Sequence, residues 1–461
     1  MKYGLRAMVL PVAAACTLAA PAMATNGYFT HGVGTHSKAL AGAGDASPEM
    51  AIDAANNPAA GVLVDESLDL GIALFSPDRK YEAGSTFYSG QYGTFTLDPG
   101  TYSSDNKAFP IPYIAKNWKL SDTSALTLSF YGRGGMNTEY NTGSASFDPD
   151  GPGPAPVMSL DGTYGMGRAG VDLMQAFLEL SYSVKVGEVA LGFAPVFAYQ
   201  MFKAEGVGAF APYTKSFAAS GGMAMPSNLT NNGHDASSGF GFKVGAIYQA
   251  TDALSISVAY QSEIDMEEFD DYSDLFAEGG NFDIPASARL GLSYQAAPDI
   301  KIHFDIEQSY FSDVASVGNP LSNVAACPTA QMGGTDIESC LGGSRGFGFG
   351  WDDVTVYQVG VEFKTAANMT WKLGYSQTEQ PIQKADALIN VLAPAVMEQH
   401  ITAGFAMERD NGHTISMAFM YAPENSVVGP NLFEMAPPPY PAAQNVTLTM
   451  SQYEIEFAYS F

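Results

Sequence analysis

The chain ends on Tyr453-Glu454-Ile455-Glu456-Phe457-Ala458-Tyr459-Ser460-Phe461. Large apolar side chains take every second position, with Glu, Glu, Ala and Ser between them. Period two marks a β-strand with one greasy and one polar face. Aromatic rings on one face and carboxylates on the other suit the wall of a membrane barrel, rings toward lipid and carboxylates toward water.

The same alternation recurs upstream. It runs through Leu68-Leu70-Ile72-Leu74, Leu126-Leu128-Phe130, Leu178-Leu180-Tyr182-Val184, Phe240-Phe242-Val244 and Leu254-Ile256-Val258-Tyr260. It continues through Leu290-Leu292-Tyr294, Ile300-Ile302-Phe304, Tyr357-Val359-Val361, Met369-Trp371-Leu373, Ile401-Ala403-Phe405 and Ile415-Met417-Phe419. With less regular runs near Ile111 to Leu120 and Val189 to Phe202, about fourteen strands result, an even number as bacterial barrels prefer.

Tight links near Ser121-Asp122, Gly187, Thr251-Asp252, Ala297-Pro298, Ala367-Asn368 and Asn411-Gly412 alternate with long ones. The long links fall near 79–109, 135–170, 203–238, 265–283, 312–351, 380–397 and 423–448. Short turns on one side and large loops on the other are the asymmetry of an outer-membrane barrel. A soluble sandwich turns every 8–12 residues or so and lacks that regularity.

Composition agrees. Hydrophobic residues make up 46% and charged residues only 15%, below the ~25% of a soluble domain. No stretch is long and apolar enough for a membrane helix, so a closed barrel is the means of satisfying the backbone in lipid. Lys2 and Arg6, an apolar run to Ala20 and the Ala22-Met23-Ala24 ending read as a secretory signal peptide over 1–24. The net charge of −27 argues against nucleic acid as a partner. Cys327 and Cys340 share one loop, where export favours a disulfide over a zinc pair.

Residues 25–64 do not alternate and are read as a plug of short helices inside a barrel spanning 65–461, with Ser47 as N-cap and Pro48 as first residue of a helix to about Ala54. Positions facing the lumen carry Lys185, Lys243, Glu263, Arg289, Lys301, His303, Asp305, Glu307, Glu362, Lys364, Lys372, His400, Glu408, Glu454 and Glu456. Charges there must pair or meet a ligand. Phe75, Ile247 and Met420 also face inward, which suits a partly apolar pocket. Loop residues Phe210, Phe217, Phe269 and Phe276 form either a binding patch or small loop cores. His303 with Asp305 lacks a positioned nucleophile, so neither an enzyme nor a cofactor is expected. His31 and His36 are too isolated in sequence to argue for a metal.

Residues Gly32 to Gly44, Asn57-Pro58-Ala59, Gly239 to Gly245, Tyr260 to Ile264 and Glu398 to Phe405 make the chain resemble the FadL/TodX-type outer-membrane transporters of long-chain fatty acids and hydrocarbons. The resemblance implies a monomeric fourteen-stranded barrel closed by an amino-terminal hatch, with Asn57, Pro58 and Ala59 as its gate. It implies capture of a hydrophobic ligand on the third and fourth external loops, through Phe210, Phe217, Phe269 and Phe276. The ligand would leave sideways at a kink in the third strand, where Gly132, Gly134 and Gly135 permit one. Basic residues near the head group are also implied, with Lys203, just past the fifth strand, as the candidate. The expected function is passive passage of fatty acids or hydrocarbons across an outer membrane of lipid and lipopolysaccharide. The competing readings are an open diffusion porin and a surface barrel without cargo.

Overall fold

The computed structural model describes residues 26–148, 156–330, 332–366, 368–434 and 444–461. The signal-peptide reading lies outside the described residues. Fourteen strands form the wall: β1 (Ser67–Ala83), β2 (Phe109–Ser121), β3 (Ser124–Asn137), β4 (Gly170–Val186), β5 (Val189–Glu205), β6 (Asp235–Thr251) and β7 (Leu254–Gln261). They continue as β8 (Ser287–Ala297), β9 (Ile300–Ser309), β10 (Val354–Ala366), β11 (Met369–Thr378), β12 (Gln399–Glu408), β13 (Thr414–Pro430) and β14 (Asn445–Ser460).

Each strand pairs antiparallel with its neighbours in sequence, and β1 pairs with β14 to close the cylinder. At that seam Ile72 lies opposite Phe457 and Leu74 opposite Ile455, while Phe75 faces Glu454 and Ala73 faces Glu456. Phe457 and Ile455 are 43% and 49% exposed, whereas Glu454 and Glu456 are 3% and 1%. The greasy face therefore points out and the carboxylates in. Leu70, Tyr182, Phe193, Phe240, Tyr357, Trp371 and Ile401 extend the exposed apolar belt around the wall. This is the surface a barrel offers to lipid.

Several strands outrun their sequence-predicted ends. β1 continues to Ala83, β5 to Glu205 and β13 to Pro430. Lys203 thus lies within β5, not past it. Four of the expected lumen charges are also corrected. Lys185, Lys364 and Glu408 lie exposed at strand ends beside the tight turns, and Glu263 lies exposed beyond the end of β7.

Inside the wall, residues 26–64 make a five-residue helix (Thr35–Ala39) and 3₁₀ turns at Ala51–Ala55 and Ala60–Val62. The helix expected after Ser47 begins later. The Asp53 carboxylate accepts the Glu49 and Met50 N–H groups at 2.7 and 3.0 Å, so it caps a turn that starts at Ala51. Ser47 instead accepts a hydrogen bond from Lys301 Nζ at 2.7 Å.

Candidate functional site

The chain between Tyr28 and Ala59 touches the wall at three levels. Highest is the break in β3. The β3–β4 register slips between Gly132 and Gly134, which leaves Arg133 as a bulged residue. A bulge bends a strand and frees backbone groups from the ladder. Here the amino-terminal segment takes those groups: Thr30 N–H donates to Arg133 O at 2.9 Å, and Gly135 N–H donates to Tyr28 O at 3.0 Å. A Cβ at Gly134 would meet Gln175 Oε1 at 2.0 Å, so a side chain there must displace it. The Arg133 guanidinium turns inward over the Phe29 ring, 4.6 Å from its centroid, and reaches Glu307 at 3.2 Å.

The middle level is electrostatic. Lys38 Nζ lies 2.7 Å from Glu454 and 2.8 Å from Glu456. His36 holds Asp53 with one ring nitrogen at 2.9 Å and Glu362 with the other at 3.0 Å. Two carboxylate partners require both nitrogens to donate, which is the imidazolium form. Arg289 Nε pairs with Asp45 at 2.6 Å, and Asp305 accepts the Gly44 and Asp45 N–H groups, each at 3.1 Å. His36, Glu49 and Glu362 approach the geometry of a metal-ligand set. Lys372 already sits there, 2.5 Å from Glu49 and 3.2 Å from Glu362, so an ammonium fills the cation's place. The expected pairing of lumen charges is therefore with the plug as much as within the wall. His303 receives a similar local role, with Ser293 Oγ at 2.8 Å from Nδ1.

The lowest level is Asn57-Pro58-Ala59, beside the tight turns. Asn57 Nδ2 donates to Val258 O at 3.2 Å, and its Oδ1 accepts the Ala59 N–H at 3.0 Å. The wall is thinned to receive this turn. A Cβ at Gly192 would lie 2.2 Å from Ala59 N, and one at Gly245 would lie 2.0 Å from Asn57 Oδ1. Glycine is required at both positions for that close approach.

Above the bulge, aromatic rings form a continuous column. Phe269 lies 5.9 Å from Phe276, Phe276 lies 4.8 Å from Phe282, and Phe282 lies 6.0 Å from Tyr28 at the bulge. Phe311 and Trp351 flank Tyr28 at 5.0 and 5.9 Å. Phe269, Phe276 and Phe210 are buried and Phe217 is half-buried, while Met223 and Met225 stand exposed on the same loop as Phe210. Lys203 is on the outward alternation of β5 and is held by Glu205 at 3.1 Å, so it does not face the lumen. Cys327 and Cys340 are joined in the loop between β9 and β10, with Cα atoms 4.9 Å apart. In the loop before β12, burial pushes the Asp386 carboxyl up to about 6 against the pull of the Leu321 N–H bond.

Two cavities adjoin the bulge. One is lined by Arg133, Lys243 and Arg289, each of which pairs with a carboxylate. The other lies between Gly135–Asn137 of β3, Trp351 and residues 393–395, and sequence reasoning missed its one charged side chain, Arg79. Arg79 falls in a polar run that reads as loop.

A wall of fourteen strands, an outward apolar belt and a folded amino-terminal stopper define a plugged outer-membrane β-barrel. The sequence profile of the outer membrane protein transport family (OMPP1/FadL/TodX) matches residues 11–431, and the chain belongs to that family. It is a transporter of hydrophobic molecules across the outer membrane and not an enzyme. No curated protein matches it significantly. Its fold is similar to that of the Pseudomonas putida toluene transporter TodX, at 17% identity over 95% of this chain and 99% of that one, with a TM-score of 0.62. A Pseudomonas aeruginosa FadL homologue aligns at 16% identity over 94% and 98%, with a TM-score of 0.60. The Ralstonia pickettii toluene transporter TbuX aligns at 14% identity over 93% and 98%, with a TM-score of 0.55.

Proposed function

We propose that the chain takes hydrophobic molecules from the external loops, passes them down the aromatic column and releases them sideways through the wall at the β3 bulge. The carrying observation is the unbroken run of rings from Phe269 through Phe282 to Tyr28, ending where β3 leaves its ladder. The drive is partition, about 0.8 kcal/mol per CH₂ removed from water, so no nucleotide is needed. Asn57, Pro58 and Ala59 keep the lower lumen shut, and the residues at Tyr28 to Thr30 move aside at the bulge. Phe29 and Gly134 form an isolated bridge, which offers a direct test. Phe29→Cys with Gly134→Cys tethers the segment in place. A Cβ at position 134 displaces the flexible end of Gln175 and presses on the Tyr28 ring at 3.2 Å. Uptake of labelled oleate or toluene, in cells lacking other carriers, is expected to stop when the pair is oxidised and to return on reduction. Uptake indifferent to the tether rules out exit at this bulge.

A further inference from the structure

Two histidines meet face to face across the seam between plug and wall. His31 belongs to the plug, His400 to the inward face of β12, and both are fully buried. Their ring centroids are 5.6 Å apart and the rings lie within 14° of parallel. Among the described residues, His36 and His303 have Glu362 at 3.0 and 3.6 Å, whereas His31 and His400 have no carboxylate within 4 Å. The polar neighbours of His400 are neutral: Ser376 Oγ at 2.9 Å and the Gln452 amide at 3.5 Å. From the plug, the charge acting on His31 is the Lys38 ammonium, which already holds Glu454 and Glu456 of β14. His36, Glu362 and Lys372 are engaged with one another and with Asp53 and Glu49. The neighbouring strands present Gln358 of β10, Ser376 of β11 and Ala422 of β13. Asp305 of β9, opposite Gln358, accepts the Gly44 and Asp45 N–H groups. No acid is left over to neutralise a proton placed on the pair. Burial holds the His31 imidazole well below its ordinary range, and the Lys38 ammonium pushes the same way.

We propose that His31 and His400 form an acid-sensitive latch: with both rings neutral the upper plug stays seated, and protonation drives the segment around His31 off the wall. Thr30, the adjoining residue, donates its N–H to Arg133 O at the β3 bulge, so release of His31 loosens that contact too. An imidazole that is harder to protonate when seated than when free contributes fully above ~6.5, and that contribution is lost as pH falls below this value. Each ring that gains its proton only on release shifts the opening equilibrium about tenfold between pH 7.5 and pH 5.5, and two rings shift it about a hundredfold. The opening needs no cargo, so the latch stands or falls apart from the transport reading.

The test is hydrogen exchange on the purified full-length protein in mild detergent, without added ligand. Exchange of peptides covering residues 27–34 is read at pH 7.5 and 5.5, each rate divided by that of an unstructured amide at the same pH. Opening in wild type should rise about a hundredfold at pH 5.5, and only about tenfold in His31→Gln or in His400→Phe, which keeps a ring against His31. The double variant His31→Gln with His400→Phe should be flat within about threefold. A wild type that is itself flat overturns the latch, and so does a double variant that keeps the wild-type response. A wild-type response abolished by one single variant and untouched by the other overturns the pairing. If the double variant fails to fold, the two single variants decide: a full wild-type response in both overturns the proposal.

Discussion

Lys38 gives the sharpest test of how the plug is held. Its ammonium bridges Glu454 and Glu456, and Thr35 Oγ1 donates to Glu456 at 2.7 Å. All three ionic side chains are at most 4% exposed. Lys38→Met leaves two carboxylates, two residues apart on one strand face, without a counter-charge. Removing one partner of a buried pair costs about 3–5 kcal/mol. At about 1.4 kcal/mol per tenfold, the ratio of seated to unseated plug should fall by roughly two to three and a half orders of magnitude. The other anchors, His36, Arg289 and Asp305, remain, so the loosening is local to the plug. Hydrogen exchange read by mass spectrometry on peptides covering residues 35–55 measures that opening directly. Those amides should exchange about a hundredfold faster or more, while peptides from the β1–β14 seam keep their protection. Lys38→Met with Glu454→Gln and Glu456→Gln should recover most of the loss, because no buried charge is then left alone. Exchange in Lys38→Met within about threefold of wild type would mean that this ion triad does not hold the plug.

Two further outcomes follow from the same geometry. Gly192→Val places a side chain against the Pro58–Ala59 backbone, 2.2 Å away, and should cost about 1–3 kcal/mol of plug seating. Planar-bilayer recording should then show raised single-channel conductance, and an unchanged trace means that this turn is not the lower seal. Asp386 titrates near 6 in the folded loop, above the ~3.9 of an unfolded chain. A raised carboxyl favours the protonated folded state, so its contribution is full below about pH 4 and is lost as pH rises through 6. Protection of the loop around residues 384–391 should therefore be greater at pH 4.5 than at pH 7.5, and Asp386→Asn should flatten the difference. A flat profile in wild type removes Asp386 as the cause.

Strand count, turn positions and face assignment were legible because lipid on one side and a polar lumen on the other impose a strict period of two. Glu454 and Glu456 could be placed inward from their spacing alone, and the β1–β14 seam agrees. Strand ends were not legible where a strand runs past the membrane. There Pro77-Asp78-Arg79-Lys80 keeps the alternation but loses its greasy partner residues, so Arg79 read as loop. The same extension turned Lys203 into a wall residue facing outward. Loop aromatics such as Phe269 and Phe276 announced an apolar cluster, but only packing distinguishes an exposed patch from a buried column. The polar anchors of the plug join residues as much as 421 positions apart, as in Thr35 to Glu456, and no local pattern encodes such a contact.

The distribution of charge inside the barrel also bears on which way a cargo leaves. A downward path must unseat the plug, and that breaks the ion pairs of Lys38, His36 and Arg289, each a buried pair worth about 3–5 kcal/mol when one partner is removed. A sideways path must displace Tyr28 to Thr30 from the bulge, where two backbone hydrogen bonds, through Tyr28 O and Thr30 N–H, hold the segment, each worth about 0.5–1.5 kcal/mol net. The ring packing that Tyr28 and Phe29 give up is replaced by packing against an apolar cargo as it moves through, whereas an oily chain offers a stranded carboxylate nothing. This comparison supports the proposed sideways route as the smaller perturbation. On the proposed lateral route, these plug-to-wall charges would make the bulge the part of the wall that yields.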